Sequence, residues 1–137
     1  MKNVDDMAAS LAQGVLTLVT LSALIAPVAQ AARLPQGFTE KVANVDGVKI
    51  NYKIGGRGPA VVLLHGYTQT SHMWTPLLPL LAKTHTVIAP DLRDAGGSER
   101  TQDGYDKKTL AKDIRGLVRQ LGYEQVKIGR ASCRERV

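Results

Sequence analysis

One short run constrains this chain more than any other: Val61-Val62-Leu63-Leu64, which passes directly into His65-Gly66-Tyr67. Four apolar residues, two of them β-branched, bounded by turn residues suit a strand buried on both faces, as in a parallel sheet. Gly66 lets the chain bend sharply where the strand ends, so that the next backbone N–H groups can point into a cleft. Ligands of open α/β sheets bind just beyond the carboxyl ends of the strands, which makes the His-Gly step the first place to look for chemistry.

The flanking segments suggest what surrounds that strand. Residues 38–45 read as a strand, Asp46-Gly47 is a tight-turn signal, and residues 48–52 alternate with period two. Together they predict an antiparallel hairpin with one face in solvent. Gly55-Gly56-Arg57-Gly58-Pro59 reads as a loop. A phosphate-cradling glycine loop would have to follow a strand and open a helix, whereas here the apolar strand 60–64 comes next. Residues 73–82 have helical spacing, with Pro76 acceptable in a first turn and Pro79 forcing a distortion or a late start. Residues 86–89 read as another buried strand, ended by Pro90-Asp91 and followed by a polar loop over 92–104. Asp106 can then cap a helix whose apolar face is Leu110, Ile114, Leu117, Val118 and Leu121. Lys107, Lys108, Lys112, Arg115 and Arg119 take its solvated face, Gly122 ends it, and a strand starts at Gln125. A hairpin leading into alternating β and α units argues for the α/β class with a mostly parallel sheet.

Composition narrows the function classes. Of 137 residues, 44% are hydrophobic and 22% charged, which is ordinary for a globular protein. The single Cys excludes an intramolecular disulfide. The net charge of +6 forms no basic stripe interleaved with aromatics, so no nucleic-acid partner is expected. Residues 7–32 carry no charge, and their apolar centre is followed by Pro27 and Ala29-Gln30-Ala31. That pattern describes a signal peptide over residues 1–31, cleaved after Ala31, and so an exported (periplasmic or secreted) product without stable membrane association. Lys2 is offset by Asp5 and Asp6, which weakens the positive end; an N-terminal membrane anchor and a buried helix stay open as alternatives.

Residues 38–128 resemble the amino-terminal part of the α/β-hydrolase fold. The likeness rests on Leu63-Leu64-His65-Gly66-Tyr67, Trp74, Ala89-Pro90-Asp91-Leu92-Arg93, Gly96-Gly97-Ser98 and the spacing from Gly104-Tyr105 through the amphipathic helix. Gln69-Thr70-Ser71-His72-Met73-Trp74 is similar to the epoxide hydrolases and fluoroacetate-type dehalogenases. Those enzymes form an alkyl-enzyme ester on an Asp nucleophile, which a His-activated water then cleaves. Ser-nucleophile esterases and carbon–carbon bond hydrolases resemble the same region less closely. The resemblance implies hydrolysis of an epoxide, carbon–halogen or ester bond in a small-molecule substrate, with no metal and no organic cofactor. It also implies that the Tyr67 N–H is one donor of an oxyanion hole, with His65 and Gly66 structural parts of its loop. His72 and His85 are read as surface or packing residues. A non-catalytic hydrolase-fold binding protein is the alternative from another class.

Two positions depart from the family pattern. Thr68 stands where epoxide hydrolases usually have Pro, and Asp94 stands where the family has Gly. If that Gly has a positive φ, Asp tolerates it with strain.

The end of the chain departs further. In this family the strand at 126–128 leads into the nucleophile elbow, but Ser132 has Arg130 and Arg134 where a G-x-S-x-G elbow needs glycines. Ser132 and Cys133 are therefore not expected to be nucleophiles. Residues 128–137, Ile-Gly-Arg-Ala-Ser-Cys-Arg-Glu-Arg-Val, resemble the in-frame translation of a common sequencing-adapter oligonucleotide. The expectation is a hydrolase domain over 32–128 truncated before its elbow, a non-native tail over 129–137, and nucleophile, acid and base absent from this chain.

Overall fold

The computed structural model describes residues 34–131. The leader (1–31), Ser132 and Cys133 lie outside them.

β1 (Phe38–Val45) and β2 (Val48–Gly56) form the expected hairpin, with Val45 opposite Val48 across a two-residue turn. Asp46 and Gly47 both have positive φ, 49° and 89°, the backbone of a type I′ turn, whose twist matches that of the flanking strands. β3 (Ala60–Leu64) and β4 (Thr86–Pro90) follow, and β5 (Lys127–Arg130) closes the sheet in the order β1-β2-β4-β3-β5. β3 pairs in parallel with β4 and with β5, whereas β2 pairs antiparallel with β1 and with β4. The alternating units are thus parallel as expected, and the hairpin makes the sheet as a whole mixed.

The apolar runs divide by strand periodicity. Val61 and Leu63 of β3 join Val87 and Ala89 of β4 in a cluster with Phe38 and Leu78, while Val62 and Ile88 face the other way. There they meet Ile50, Tyr52, Ile114, Leu117 and Val118. Successive side chains of a strand point to opposite faces, so a continuous apolar run is what two-sided burial requires.

Helix α2 (Lys107–Gln120) covers the second face. Asp106 caps it, its side chain accepting from the Lys108 and Thr109 N–H groups at 3.0 Å each. The Gly122 N–H donates to Arg119 O and the Tyr123 N–H to Val118 O, the paired bonds of a Schellman end. Lys107, Lys108, Lys112, Arg115 and Arg119 are all exposed, as the periodicity predicts.

Four expectations are corrected. β2 does not stop at Tyr52: it runs through Gly55 and Gly56, which pair with Val87 and Thr86 of β4. Being internal, β2 buries Ile50, Asn51, Tyr52 and Lys53 in succession, so the hairpin is not solvated along one whole face. The helix expected over 73–82 is broken into a 3₁₀ turn (Ser71–Trp74) and the short helix α1 (Leu78–Leu81), with Pro79 in its first turn. Proline lacks the N–H that a continuous helix needs, and the late start resolves the conflict. β5 begins at Lys127 rather than Gln125, and its last residues, Gly129 and Arg130, pair with Leu63 and Leu64.

Asp94 has a φ of +66°, which meets the condition set by the glycine of the family pattern, while its N–H donates to Glu99 O at 3.0 Å. A side chain in this region carries a steric cost of about 1 kcal/mol, less for Asp than for branched residues. Asp94→Gly is expected to stabilise the chain by up to about 1 kcal/mol and Asp94→Val to destabilise it by more. Urea unfolding monitored through Trp74 checks this; a less stable glycine variant would remove the strain account.

Candidate functional site

The segment from His65 to Ser71 leaves the carboxyl end of β3 and is tied down residue by residue. His65 is buried, and its Nε2 accepts the Leu92 N–H at 3.0 Å. Its Nδ1 therefore carries the proton and donates to Gly66 O at 2.9 Å. Neither ring nitrogen is left to exchange a proton with a ligand. The Gly66 N–H donates to Gln69 Oε1 at 3.0 Å, and the Gln69 N–H returns to Gly66 O at 3.3 Å. The Ser71 N–H donates to Asp91 Oδ1 at 2.6 Å. The N–H groups of Tyr67 and Thr68 meet no acceptor among the described residues, and the Tyr67 side chain is 94% exposed. Thr68 has a φ of +60°, a backbone that proline, locked near about −65°, cannot adopt. This loop therefore turns by a different backbone from the one a proline would impose.

Asp91, at the end of β4, holds the other side. Its side chain is 2% exposed. Oδ2 accepts from Asn51 Nδ2 and from the Gly97 N–H, both at 3.0 Å, while Oδ1 takes Ser71. Burial works to raise its pKa, but the N–H groups of Gly97 and Ser71 and the side chains of Asn51 and Ser71 outweigh it, so the carboxyl sits below the ordinary value. A Cβ on Gly96 would lie 2.2 Å from Asp91 Oδ2, and one on Gly97 would lie 2.8 Å from the Asn51 side chain. Gly96-Gly97 is thus the part of the loop that can close over the carboxylate. Ser98 Oγ accepts from the Asn51 N–H and donates to Asp91 O, completing the enclosure.

The polar cluster extends to β1 and β2. Lys53 is 9% exposed, and its Nζ donates to Ser71 Oγ at 2.6 Å and lies 3.4 Å from Glu40 Oε1. Asn51 Nδ2 also donates to Glu40 at 2.7 Å. Behind Asp91, Arg93 makes a two-pronged pair with Asp113 of α2 at 2.8 and 2.9 Å. That carboxylate raises the guanidinium pKa and fastens the 92–104 loop to the helix.

The structure therefore brings His65, Gly66 and Tyr67 together at one strand end. His72 is exposed and the His85 ring bonds only its neighbour Thr84 among the described residues, so neither enters this site. Sequence reasoning assigned no role to Asp91, Lys53, Asn51, Ser71, Arg93 or Asp113. The signal that was available is that Ser71, Asp91 and Arg93 stand within the motifs that carry the family likeness, whereas Lys53 lay beyond the strand read over 48–52. Among the described residues no group of three or more His, Cys, Asp or Glu could hold a metal ion. A separate apolar groove of about 440 Å³ lies between α2 and β5, lined by Leu64, Leu92, Ile114, Val118 and Ile128; His65 reaches it and Tyr67 does not.

Asp91 also predicts an acid dependence. A carboxylate whose folded pKa lies below its unfolded value of about 3.9 contributes stability above that pH and loses it as pH falls through the folded value. Asp91→Asn places an amide donor against the Asn51 and Gly97 donors, and should cost about 3 kcal/mol at pH 7. The difference between the two proteins should narrow below about pH 4. Urea unfolding at a series of pH values reads this directly; a constant difference down to the acid limit would contradict it.

Comparison with known proteins supplies the family. The profile of the alpha/beta hydrolase fold matches residues 59–129. The soluble epoxide hydrolase of Corynebacterium sp. (strain C12) is 45% identical over 89 residues, covering 65% of this chain and 31% of that protein. The fluoroacetate dehalogenase of Burkholderia sp. is 42% identical over 95 residues, covering 66% and 31%. Among solved structures, that of the epoxide hydrolase CorEH without ligand superposes with a TM-score of 0.65 at 44% identity, covering 66% of this chain and 32% of that one. The chain thus spans about a third of the length of these relatives. With the His-Gly loop at the end of β3 and the mixed sheet behind it, this chain belongs to the α/β-hydrolase fold family.

Proposed function

We propose that this chain is the amino-terminal part of an exported hydrolase that cleaves an epoxide, carbon–halogen or ester bond of a small molecule through a covalent intermediate. The observation that carries the reading is the Tyr67 N–H, which follows the His-Gly step directly and, like the Thr68 N–H beside it, meets no acceptor among the described residues, while the Gly66, Gln69 and Ser71 amides of the same loop are engaged. The names of the relatives, a soluble epoxide hydrolase and a fluoroacetate dehalogenase, support the epoxide and carbon–halogen classes.

The chemistry assigned to this part of the site is charge stabilisation. When water attacks the carbonyl carbon of an enzyme ester, the carbonyl oxygen becomes an oxyanion, and the alkoxide then leaves and is protonated to the alcohol. A fixed N–H aimed at that oxygen stabilises the tetrahedral state more than the ester, which lowers the barrier. His65 holds the loop and is not the general base, because both its nitrogens are committed. The nucleophile, the acid and the base belong to sequence beyond Lys127, so the chain as given is inactive on this reading. Residues 1–31 direct export.

A long sequencing read across the native locus past the codon for Lys127 tests this. A G-x-D-x-G elbow is expected, as in an epoxide hydrolase or dehalogenase; G-x-S-x-G would move the assignment to an esterase-like hydrolase. An Arg-rich tail followed by a stop would end the hydrolase reading and leave the non-catalytic binding protein. In the complete protein Tyr67→Pro, which deletes the N–H, should lower kcat by about 100-fold or more, and Tyr67→Phe should not.

A further inference from the structure

Two costs converge on the loop that carries the Tyr67 N–H. Thr68 is held at a φ of +60°, which a β-branched residue adopts only where its surroundings over-determine it. At the far end of the same loop a lysine and an aspartate are both buried against Ser71, whose own exposure is 0%. Taking an ammonium and a carboxylate out of water is unfavourable, and apolar residues of similar volume would often pack there at least as stably. Among the described residues Ser71 is the one hydrogen-bonded to both charges: the Lys53 ammonium donates to its hydroxyl, and its N–H donates to Asp91. Glu40, Asn51 and the Gly97 N–H also face the pair, Glu40 lying 3.4 Å from Lys53, Asn51 bridging Glu40 to Asp91 and Gly97 donating to Asp91. At the near end, the His65 ring clamps Gly66 O and the Leu92 N–H. Leu92 follows Asp91 directly, so both ends of the loop are anchored on the same two residues of the β4 exit.

We propose that Lys53, acting through Ser71 and Asp91, is a positioning residue that holds the 66–71 loop in its strained shape and so aims the Tyr67 N–H. The proposal rests on the hydrolase reading for its catalytic consequence, but not for its structural one. Lys53 touches no reacting atom. Its ammonium and the Asp91 carboxylate fix Ser71 at two points, the first at the hydroxyl and the second at the backbone N–H. With both in place the loop cannot relax at Thr68 without breaking a buried charge-assisted hydrogen bond, which is costlier than the strain.

The test has two readouts. In the ¹⁵N-labelled full chain, Lys53→Met should shift or broaden the amide signals of residues 66–70 while those of Val87 and Ile88 stay in place. Ser71→Ala, which removes only the hydroxyl, should do the same if the lysine variant fails to fold. Lys53→Arg, which restores a buried donor, should recover the parent spectrum in the loop. Unchanged loop signals in a folded Lys53→Met or Ser71→Ala variant would overturn the proposal. In the complete protein encoded by the native locus, Lys53→Met should lower kcat about tenfold with KM within about threefold, because an oxyanion donor acts on the transition state. Lys53→Arg should regain most of that loss. A fall in stability with kcat untouched would also overturn it. If the complete parent protein hydrolyses no epoxide, halide or ester, the hydrolase reading fails, and the amide spectra still decide the positioning role.

Discussion

The buried carboxylate of Asp91 is the interaction on which the rest of this structure depends. An ionised carboxyl group shut away from water must be met by donors on most of its lone pairs, or the chain could not keep it there. Its donors come from three distant segments: the Ser71 N–H after β3, the Asn51 amide in β2, and the Gly97 N–H in the loop beyond β4. Meeting that demand pulls the 92–104 loop back over the strand end, and the backbone can come so close only because Gly96 and Gly97 carry no Cβ. The same loop then serves as a neighbour for β2 where β4 has ended, Ser98 and Glu99 bonding to Asn51 and Lys49. One charge thereby organises a strand end, two loops and the exposed edge of an inner strand.

The apolar framework supplies rigidity around that charge. β3 and β4 are buried on both faces, so neither can slip by one residue without exchanging its two sets of side chains between unlike environments. α2 is held against one face by Ile114, Leu117 and Val118, and its position is further tied to the Asp91 loop through Arg93 and Asp113. The loop carrying Tyr67 therefore rises from a strand that cannot shift and leans on a strand exit that cannot open. Such a support suits a site in which a single backbone N–H must keep its direction, since preorganised dipoles contribute only as far as they are held in place.

Strain and charge are concentrated at this one end of the sheet. Thr68 and Asp94, two of the three non-glycine residues with positive φ among the described residues, sit in the two loops that Asp91 joins. The third, Asp46, lies in the hairpin turn, where positive φ is the ordinary geometry. Backbone strain away from a tight turn persists only when neighbouring contacts outweigh it, and here the neighbours are the buried hydrogen bonds of Ser71, Asp91 and His65.

By itself the sequence determined whatever depends on short-range pattern. The two-sided burial of β3, the turn at Asp46-Gly47, the cap at Asp106, the apolar stripe of α2 and its end at Gly122 all follow from residues within a turn or two of one another. At Asp94 the glycine of the family pattern only posed the question of a positive φ, and the structure answered it. Tertiary structure decided the rest. The length of β2 depended on β4 arriving beside Gly55 and Gly56. The meeting of Lys53, Ser71 and Asp91 joins positions 18 and 20 residues apart, and that of Asn51 with Asp91 spans 40. A polar side chain shows in sequence that it needs partners, but which segments supply them is settled only when the sheet brings its strand ends together.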